Sequence, residues 1–182
     1  ISPNSFYQVN HDQAERLYKK AAEYANPEGK NLIDMYCGVG TVGLSMADKA
    51  KSLIGVEIVE KAVKDAAENA KLNGINNARF ICGDASLAAE KLSGEGIKAD
   101  VVILDPPRKG CDGALISVLC KRIKPERIVY ISCNPATLAR DCAEFEKNGY
   151  TFKEATPFDL FPRTGHTECV VKLTRTGLSE QD

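Results

Sequence analysis

The sequence predicts an α/β domain: a mostly parallel seven-stranded sheet with helices on both faces and an antiparallel strand at its C-terminal end. Three observations predict it. Val101-Val102-Ile103-Leu104 and Ile128-Val129-Tyr130-Ile131 are short, continuously apolar and largely β-branched, as strands covered on both faces must be. Each run stops abruptly at polar residues and proline, Asp105-Pro106-Pro107-Arg108 after the first and Ser132-Cys133-Asn134-Pro135 after the second. Strand-like and helix-like segments also alternate along the chain, which is the rhythm of βα units. Ligands of open α/β sheets bind outside the carboxyl ends of the strands, so Asp105 and Cys133 are expected on one binding edge.

Residues 1–10 read as an ordered leading loop anchored by Phe6 and Val9, with Asn10 or Asp12 capping the next helix. From His11 to Ala25, Ala14, Leu17, Tyr18, Ala21 and Ala25 recur at helical spacing, and Pro27 with Gly29 ends the run. Asn31 to Tyr36 is the first strand, turning through Cys37-Gly38-Val39-Gly40-Thr41-Val42-Gly43 into a helix that should reach Lys49. Ser52 to Ile58 forms the second strand, with Glu57 at its end, and a helix from Glu60 to Asn73 is stopped by Gly74. Ala78 to Cys82 is the third strand, closed by Gly83-Asp84 before a helix to about Leu92. Asp100 to Leu104 is the fourth, followed by a helix from Asp112 to Ile123. Arg127 to Ser132 is the fifth, and Pro135 suits the first turn of a helix to Lys147. Strands near Thr151–Pro157 and Thr167–Thr174 close the sheet. Residues 1–27 are thus a loop and leading helix, 30–175 the core, and 176–182 a polar tail expected to fray.

A chain of 182 residues that is 43% hydrophobic suits one domain with a sizeable core. No apolar run is long enough to span a membrane, and no secretory leader opens the chain. It begins at Ile1, not Met, so one domain of a longer protein is expected. Seven cysteines without a C-x-x-C pair argue against a zinc site. Cys37, Cys82, Cys120, Cys142 and Cys169 sit in or beside apolar segments, and most of them read as small core residues in a reducing cytoplasm. The net charge of −1 gives no global basic field, so a nucleic-acid partner would meet only local contacts here.

Gly38-x-Gly40-x-x-Gly43, with Glu57 nineteen residues beyond Gly38, matches the dinucleotide fingerprint. The glycines allow close backbone approach, and the acid can accept both ribose hydroxyls. That pattern alone suits a nicotinamide cofactor or S-adenosylmethionine. Asp34, four residues before Gly38 where methyltransferases commonly carry an acid, and Asp84, placed to meet an adenine amino group, favour the latter. The bland alternatives are tight-turn glycines and, for Asp84, a helix N-cap.

Pro106 and Pro107 stiffen the loop and fix where Asp105 points; its alternative role is to cap that loop. Asp105-Pro106-Pro107-Arg108 resembles the D/N-P-P-aromatic motif of amino-group methyltransferases, but Arg108 stands where those enzymes stack the base on an aromatic ring. Cys133 precedes a good N-cap, Asn134, and a good first helical residue, Pro135. A helix N-terminus would stabilise its thiolate, which favours a nucleophile over an inert buried thiol. Before the last strand, Glu168 is a candidate general base or else a solvated strand-end acid. Arg108, Arg163 and His166 are candidate substrate contacts, His166 being as readily structural.

Six motifs stand in order: Phe6-Tyr7-Gln8-Val9-Asn10, Asp34-Met35-Tyr36-Cys37-Gly38-Val39-Gly40, Gly55-Val56-Glu57, Asp105-Pro106-Pro107-Arg108, Ser132-Cys133-Asn134-Pro135 and His166-Thr167-Glu168. Together, over residues 4 to about 174, they resemble the RNA 5-methyluridine methyltransferase family. The resemblance implies a Rossmann-like class I methyltransferase fold. It places Gln8, Tyr36, Thr41, Glu57, Asp84 and Asp105 in an S-adenosylmethionine pocket, with Cys133 as nucleophile and Glu168 as base. Thr41 departs from the asparagine that many members carry. Members usually have N-terminal RNA-binding parts, often a small β-barrel and sometimes a cysteine-held iron–sulfur cluster; these are expected to be absent from this chain.

The implied activity is methylation of uridine carbon 5 in structured RNA, ribosomal ahead of transfer, by a cytoplasmic and monomeric protein. A second reading is a non-catalytic S-adenosylmethionine-binding or RNA-interaction fragment. A third, a nicotinamide oxidoreductase, rests on the glycine fingerprint and leaves Cys133 and Glu168 unexplained.

Overall fold

A computed structural model describes residues 11–160, 164 and 167–178. The elements run α1 (His11–Ala25), β1 (Asn31–Met35), α2 (Thr41–Leu44), β2 (Ser52–Glu57), α3 (Glu60–Leu72), β3 (Ala78–Cys82), α4 (Ala85–Gly94) and β4 (Val101–Leu104). Then come α5 (Gly113–Val118), β5 (Arg127–Ser132), α6 (Pro135–Lys147), β6 (Tyr150–Phe158) and β7 (Glu168–Arg175). The leading loop, with Gln8, and the end of the polar tail lie outside the described residues, as do Arg163 and His166.

Alternation along the central strands builds two cores. Val101 and Ile103 of β4 and Val129 and Ile131 of β5 join the core under α1, with Leu17, Ala21, Tyr24 and Met46. Val102, Leu104, Ile128 and Tyr130 turn the other way, to Leu92 of α4, Leu115 of α5 and Leu138 and Phe145 of α6. Both faces are covered, so between their ends these strands carry one polar group, the Tyr130 hydroxyl, which donates to Asp141 Oδ2 at 2.6 Å.

The strand order is β3-β2-β1-β4-β5-β7-β6. The first five are parallel, and β7 runs antiparallel between β5 and β6, as the sequence predicts. Chain direction reverses its order at β1, so the crevice between β1 and β4 is the switch point where an open α/β sheet takes ligands.

Four local expectations need correction. Tyr36 is not strand: it takes a left-handed backbone (φ 64°), a costly conformation for a bulky residue that turns the chain out of the sheet. The helix expected to reach Lys49 stops at Leu44. Beyond it, bonds tighten to three-residue spacing (Met46 N–H to Gly43 O, 3.2 Å), and the Ser45 hydroxyl donates to Val42 O at 2.6 Å in competition with the helix. The helix after Asp112 widens into a π-turn over Leu119–Ile123 and ends at Lys124 (φ 52°), because the residue before Pro125 disfavours the α-helical region. Finally, Cys82 is exposed, lying on the edge strand β3, whereas Cys111 is buried.

Phe145 is fully buried and meets Tyr150 edge-on, ring centroids 6.0 Å apart. Phe145→Ala should cost about 3–5 kcal/mol in urea unfolding, because α6 cannot collapse into the void while its start is tied to the loop after β4.

Candidate active site

The strand ends bring the reactive candidates to one edge. Leu104 pairs with Met35 on one side and Tyr130 on the other, so Asp105 leaves β4 beside the ends of β1 and β5. Ser132 pairs with Cys169 across antiparallel β5 and β7. One step further, Cys133 and Glu168 stand at the same level on neighbouring strands. Arg108 reaches this corner from the loop after β4, its positive charge favouring the Cys133 thiolate and the Glu168 carboxylate. Asn134 caps α6 by accepting the Ala136 N–H at 3.1 Å, and Pro135 occupies the first turn, as the sequence predicts.

The electrostatics correct one expectation. The net shift of the Cys133 thiol is not downward: desolvation and the neighbouring Glu168 carboxylate push its pKa up, against the opposing pull of a backbone N–H and of Arg108. Glu168 is buried, and desolvation raises its pKa too, while Arg108 pulls it back. Asp105 has an accessible surface, but protein atoms crowd its carboxyl; desolvation and then Glu168 raise its pKa to about 7.

Across the switch point, the glycine loop is built by carboxylates. One Glu57 oxygen accepts the Gly38 N–H at 3.1 Å and the other the Val59 N–H at 2.9 Å. Asn69 of α3 donates to Val39 O at 3.0 Å from below. The Asp34 carboxylate turns inward and accepts the Gly43 N–H at 2.9 Å, bracing the start of α2. A Cβ on Gly43 would stand 2.7 Å from that oxygen, so the third glycine is required by close approach. Nothing stands within 4 Å of the position a Gly38 Cβ would take, which leaves open space over the loop. Thr41 is exposed at the first position of α2, and the half-buried Tyr36 faces Cys111.

Asp84 caps α4, one oxygen accepting the Ser86 and Leu87 N–H groups. The second oxygen takes neither bond. Three apolar side chains beside it escaped the sequence reading. Ile58, Val59 and Leu87 are 66%, 54% and 68% exposed, between Glu57 and Asp84. The available signal was an apolar pair directly after a strand-end acid, where a turn is normally polar.

A cavity of about 450 Å³ opens at the opposite, amino-terminal edge, between Asn31, Ser52, Asn77 and Ile97, away from these groups. Among the described residues no cluster of His, Cys, Asp or Glu could hold a metal ion, and no helix is long and apolar enough to cross a membrane.

Burial, and then repulsion from Asp105 and Glu57, raise the Asp34 pKa to about 8, against the Gly43 N–H. An acid whose folded pKa lies above its unfolded value of about 4 lends stability at low pH that is lost as pH rises towards 8. Asp34→Asn should therefore flatten the pH dependence of urea stability between about pH 4 and 8, removing roughly 1 kcal/mol of decline per unit where the shift is fully expressed. An unchanged slope would place the carboxylate in an ordinary environment.

With this geometry in place, the likeness to known proteins is specific. The family model for tRNA (uracil-5-)-methyltransferase matches residues 1–176. An uncharacterized RNA methyltransferase of Enterococcus faecalis is 53% identical over 176 residues, 96% of this chain and 38% of the relative. One from Bacillus cereus is 51% identical over the same shares. The crystal structure of Pyrococcus abyssi tRNA (uracil-54, C5)-methyltransferase with S-adenosyl-L-homocysteine superposes with a TM-score of 0.84 at 38% identity, covering 96% of this chain and 41% of that one. Magnesium protoporphyrin IX methyltransferase from Synechocystis shares the fold alone, with a TM-score of 0.68 at 22% identity over 92% of this chain and 81% of that one. The chain thus spans under two fifths of the length of the curated relatives it matches, at 38%. On the family match and these identities, the chain belongs to the tRNA (uracil-5-)-methyltransferase family.

Proposed function

We propose that this domain methylates carbon 5 of a uridine in structured RNA through a covalent intermediate on Cys133. The observation that carries the reading is the level meeting of Cys133 and Glu168 on β5 and β7, with Asp105 and Arg108 beside them. A nicotinamide site needs neither a thiol nor a second acid there.

The switch-point crevice suits S-adenosylmethionine. Open space over Gly38, the Glu57 carboxylate, the free oxygen of Asp84 and the exposed Ile58 and Leu87 can take the amino acid, ribose and adenine of a nucleoside. Asp34, Glu57 and Asp105 repel one another, so a ligand bearing positive charge would relieve this edge and a pyrophosphate would burden it. Gln8 and Thr41 complete the proposed set. When bound, the cofactor supplies an electrophilic methyl group on a sulfonium centre.

Carbon 5 of uracil is too weak a nucleophile unaided. The Cys133 sulfur adds to carbon 6, and the ring electrons displaced towards the carbonyl make carbon 5 nucleophilic enough to take the methyl group. Glu168 then removes the carbon 5 proton, and the sulfur–carbon 6 bond breaks to return the thiolate. Splitting one hard step into easier ones is the gain of covalent catalysis. A raised pKa suits Glu168 to hold that proton near neutral pH. Asp105, at the open mouth, can meet the uracil edge once the base leaves its stack. Arg108, Arg163 and His166 are proposed RNA contacts, Arg108 also facing the nucleophile.

Two variants test the assignment in the intact protein. Cys133→Ala should keep S-adenosylhomocysteine binding in calorimetry and lower turnover by roughly 10³-fold or more. Glu168→Gln should lower it by roughly 10²–10⁴-fold and let the Cys133–RNA adduct accumulate on denaturing gels. Trapping on 5-fluorouridine ribosomal and transfer RNA in separate arms ranks the two substrates. Cofactor binding without trapping on either RNA would leave the non-catalytic reading.

A further inference from the structure

Arg108 stands beside Cys133 and Glu168, yet it is exposed on the seven-residue loop 105–111 between β4 and the Asp112 cap, and no hydrogen bond from its own guanidinium holds that loop. The loop is held from α6. Arg108 O accepts from Asn134 Nδ2 at 3.1 Å and from Thr137 Oγ1 at 3.2 Å. One turn on, Arg140 donates to Lys109 O at 2.9 Å. Its guanidinium also pairs with Asp141 Oδ1 at 2.7 Å, and its Nε donates to the same oxygen at 2.8 Å. Asp141 is 1% exposed, and its Oδ2 accepts the Cys111 N–H at 2.7 Å and the Tyr130 hydroxyl at 2.6 Å. Four donors thus converge on one buried carboxylate: it holds the Cys111 end of the loop directly and braces the Arg140 guanidinium that holds Lys109 O, while Asn134 and Thr137 hold the Arg108 carbonyl. Gly110 permits the seam: at φ 79° its Cβ would lie 2.5 Å from both Arg140 Nη2 and Asp141 Oδ2.

Burying a carboxylate is expensive unless it is paired and hydrogen-bonded, and a buried Asp on α6 could be replaced by an apolar residue if it served stability alone. Its partners are not spread over the core, however. They are the backbone of the Arg108 loop and the strand that carries Cys133. We propose that Asp141 is a positioning residue for the reacting corner: by clamping the loop after β4 to α6, it holds the Arg108 guanidinium against the Cys133 sulfur and the Glu168 carboxylate. The inference rests on the reading of Cys133 as nucleophile. It adds that the arginine's place is set from beneath, by a residue that touches no substrate.

The charged groups facing Cys133 are Glu168 from β7 and Arg108 from the loop after β4, so a change in the distance of Arg108 must show in the thiol's titration. The test is the pH dependence of iodoacetamide alkylation at Cys133 in the intact protein, followed by peptide mass spectrometry with exposed Cys82 as internal control. Arg108→Gln should move the Cys133 midpoint up by roughly half to one pH unit, the scale of one partly hydrated charge partner. Asp141→Asn should produce an upward shift of similar size and leave Cys82 unmoved. The double variant should shift no further than Arg108→Gln alone, since Asp141 acts through that arginine. An unshifted midpoint in folded Asp141→Asn, or additive shifts in the double variant, would overturn the proposal and leave Asp141 as a structural residue. If Asp141→Asn unfolds below the assay temperature, Arg140→Gln carries the test, since it removes the bridge from Asp141 to Lys109 O; it is expected to shift the midpoint the same way by less, and no shift there overturns the proposal equally. Failure of the wild-type protein to trap 5-fluorouridine RNA would instead sink the uridine reading, while the alkylation comparison stands on its own.

Discussion

The burial of β4 and β5 on both faces is the constraint from which the rest follows. Strands sealed between two helical layers have little room for a polar side chain except at their ends, so Asp105, Ser132 and Cys133 appear where the cover stops. Parallel pairing puts those ends on the same edge, and the reversal of strand order at β1 opens a crevice beside them. The one antiparallel insertion, β7, is what brings Glu168 in: a parallel strand in that place would deliver its C-terminal end, not its start, to the edge. The acid and the thiol meet because their strands run in opposite directions.

The same edge concentrates like charge. Asp34 feels Asp105 and Glu57, and Asp105 and Cys133 feel Glu168, in surroundings that desolvate all of them. Such an arrangement lowers the stability of the free domain and is the kind of frustration found where a ligand or a proton has work to do. Arg108 is the cation that the structure sets against it, and α6, through Asp141, sets Arg108.

The strands, their order of appearance and the cap at Asn134 were legible in the sequence because each is written locally: an apolar run, a breaker, a capping side chain. Cys133, Glu168, Asp105, Glu57 and Asp84 could be singled out because strand ends are predictable places. What local pattern could not show is what depends on long-range closure. Nothing around Asp141 tells that its oxygens meet Cys111 thirty residues earlier. The left-handed Tyr36 and the early end of α2, where the Ser45 hydroxyl donates to Val42 O, are matters of turn geometry that periodicity does not show. Ile58 and Leu87 were missed because exposed apolar residues gain meaning only beside the acids they flank.

The thiol's pKa exposes the limit of reasoning from a helix start alone. In α6 the Asn134 side chain already takes the Ala136 N–H, and the Asn134 N–H goes to the Ser132 hydroxyl, so two of the helix-start N–H groups are engaged; the backbone hydrogen bond that still favours the thiolate is outweighed. Burial beside Glu168 then prevails. A raised pKa lowers the thiolate fraction but leaves each thiolate a stronger nucleophile, since nucleophilicity grows with basicity. For addition to an unactivated ring carbon that exchange is favourable only if the proton has a nearby acceptor and the anion a nearby cation at the moment of attack. Asp105 or Glu168 on one side and Arg108 on the other meet those two needs, which makes the placement of Arg108, more than the helix N-terminus, the condition on which Cys133 can act.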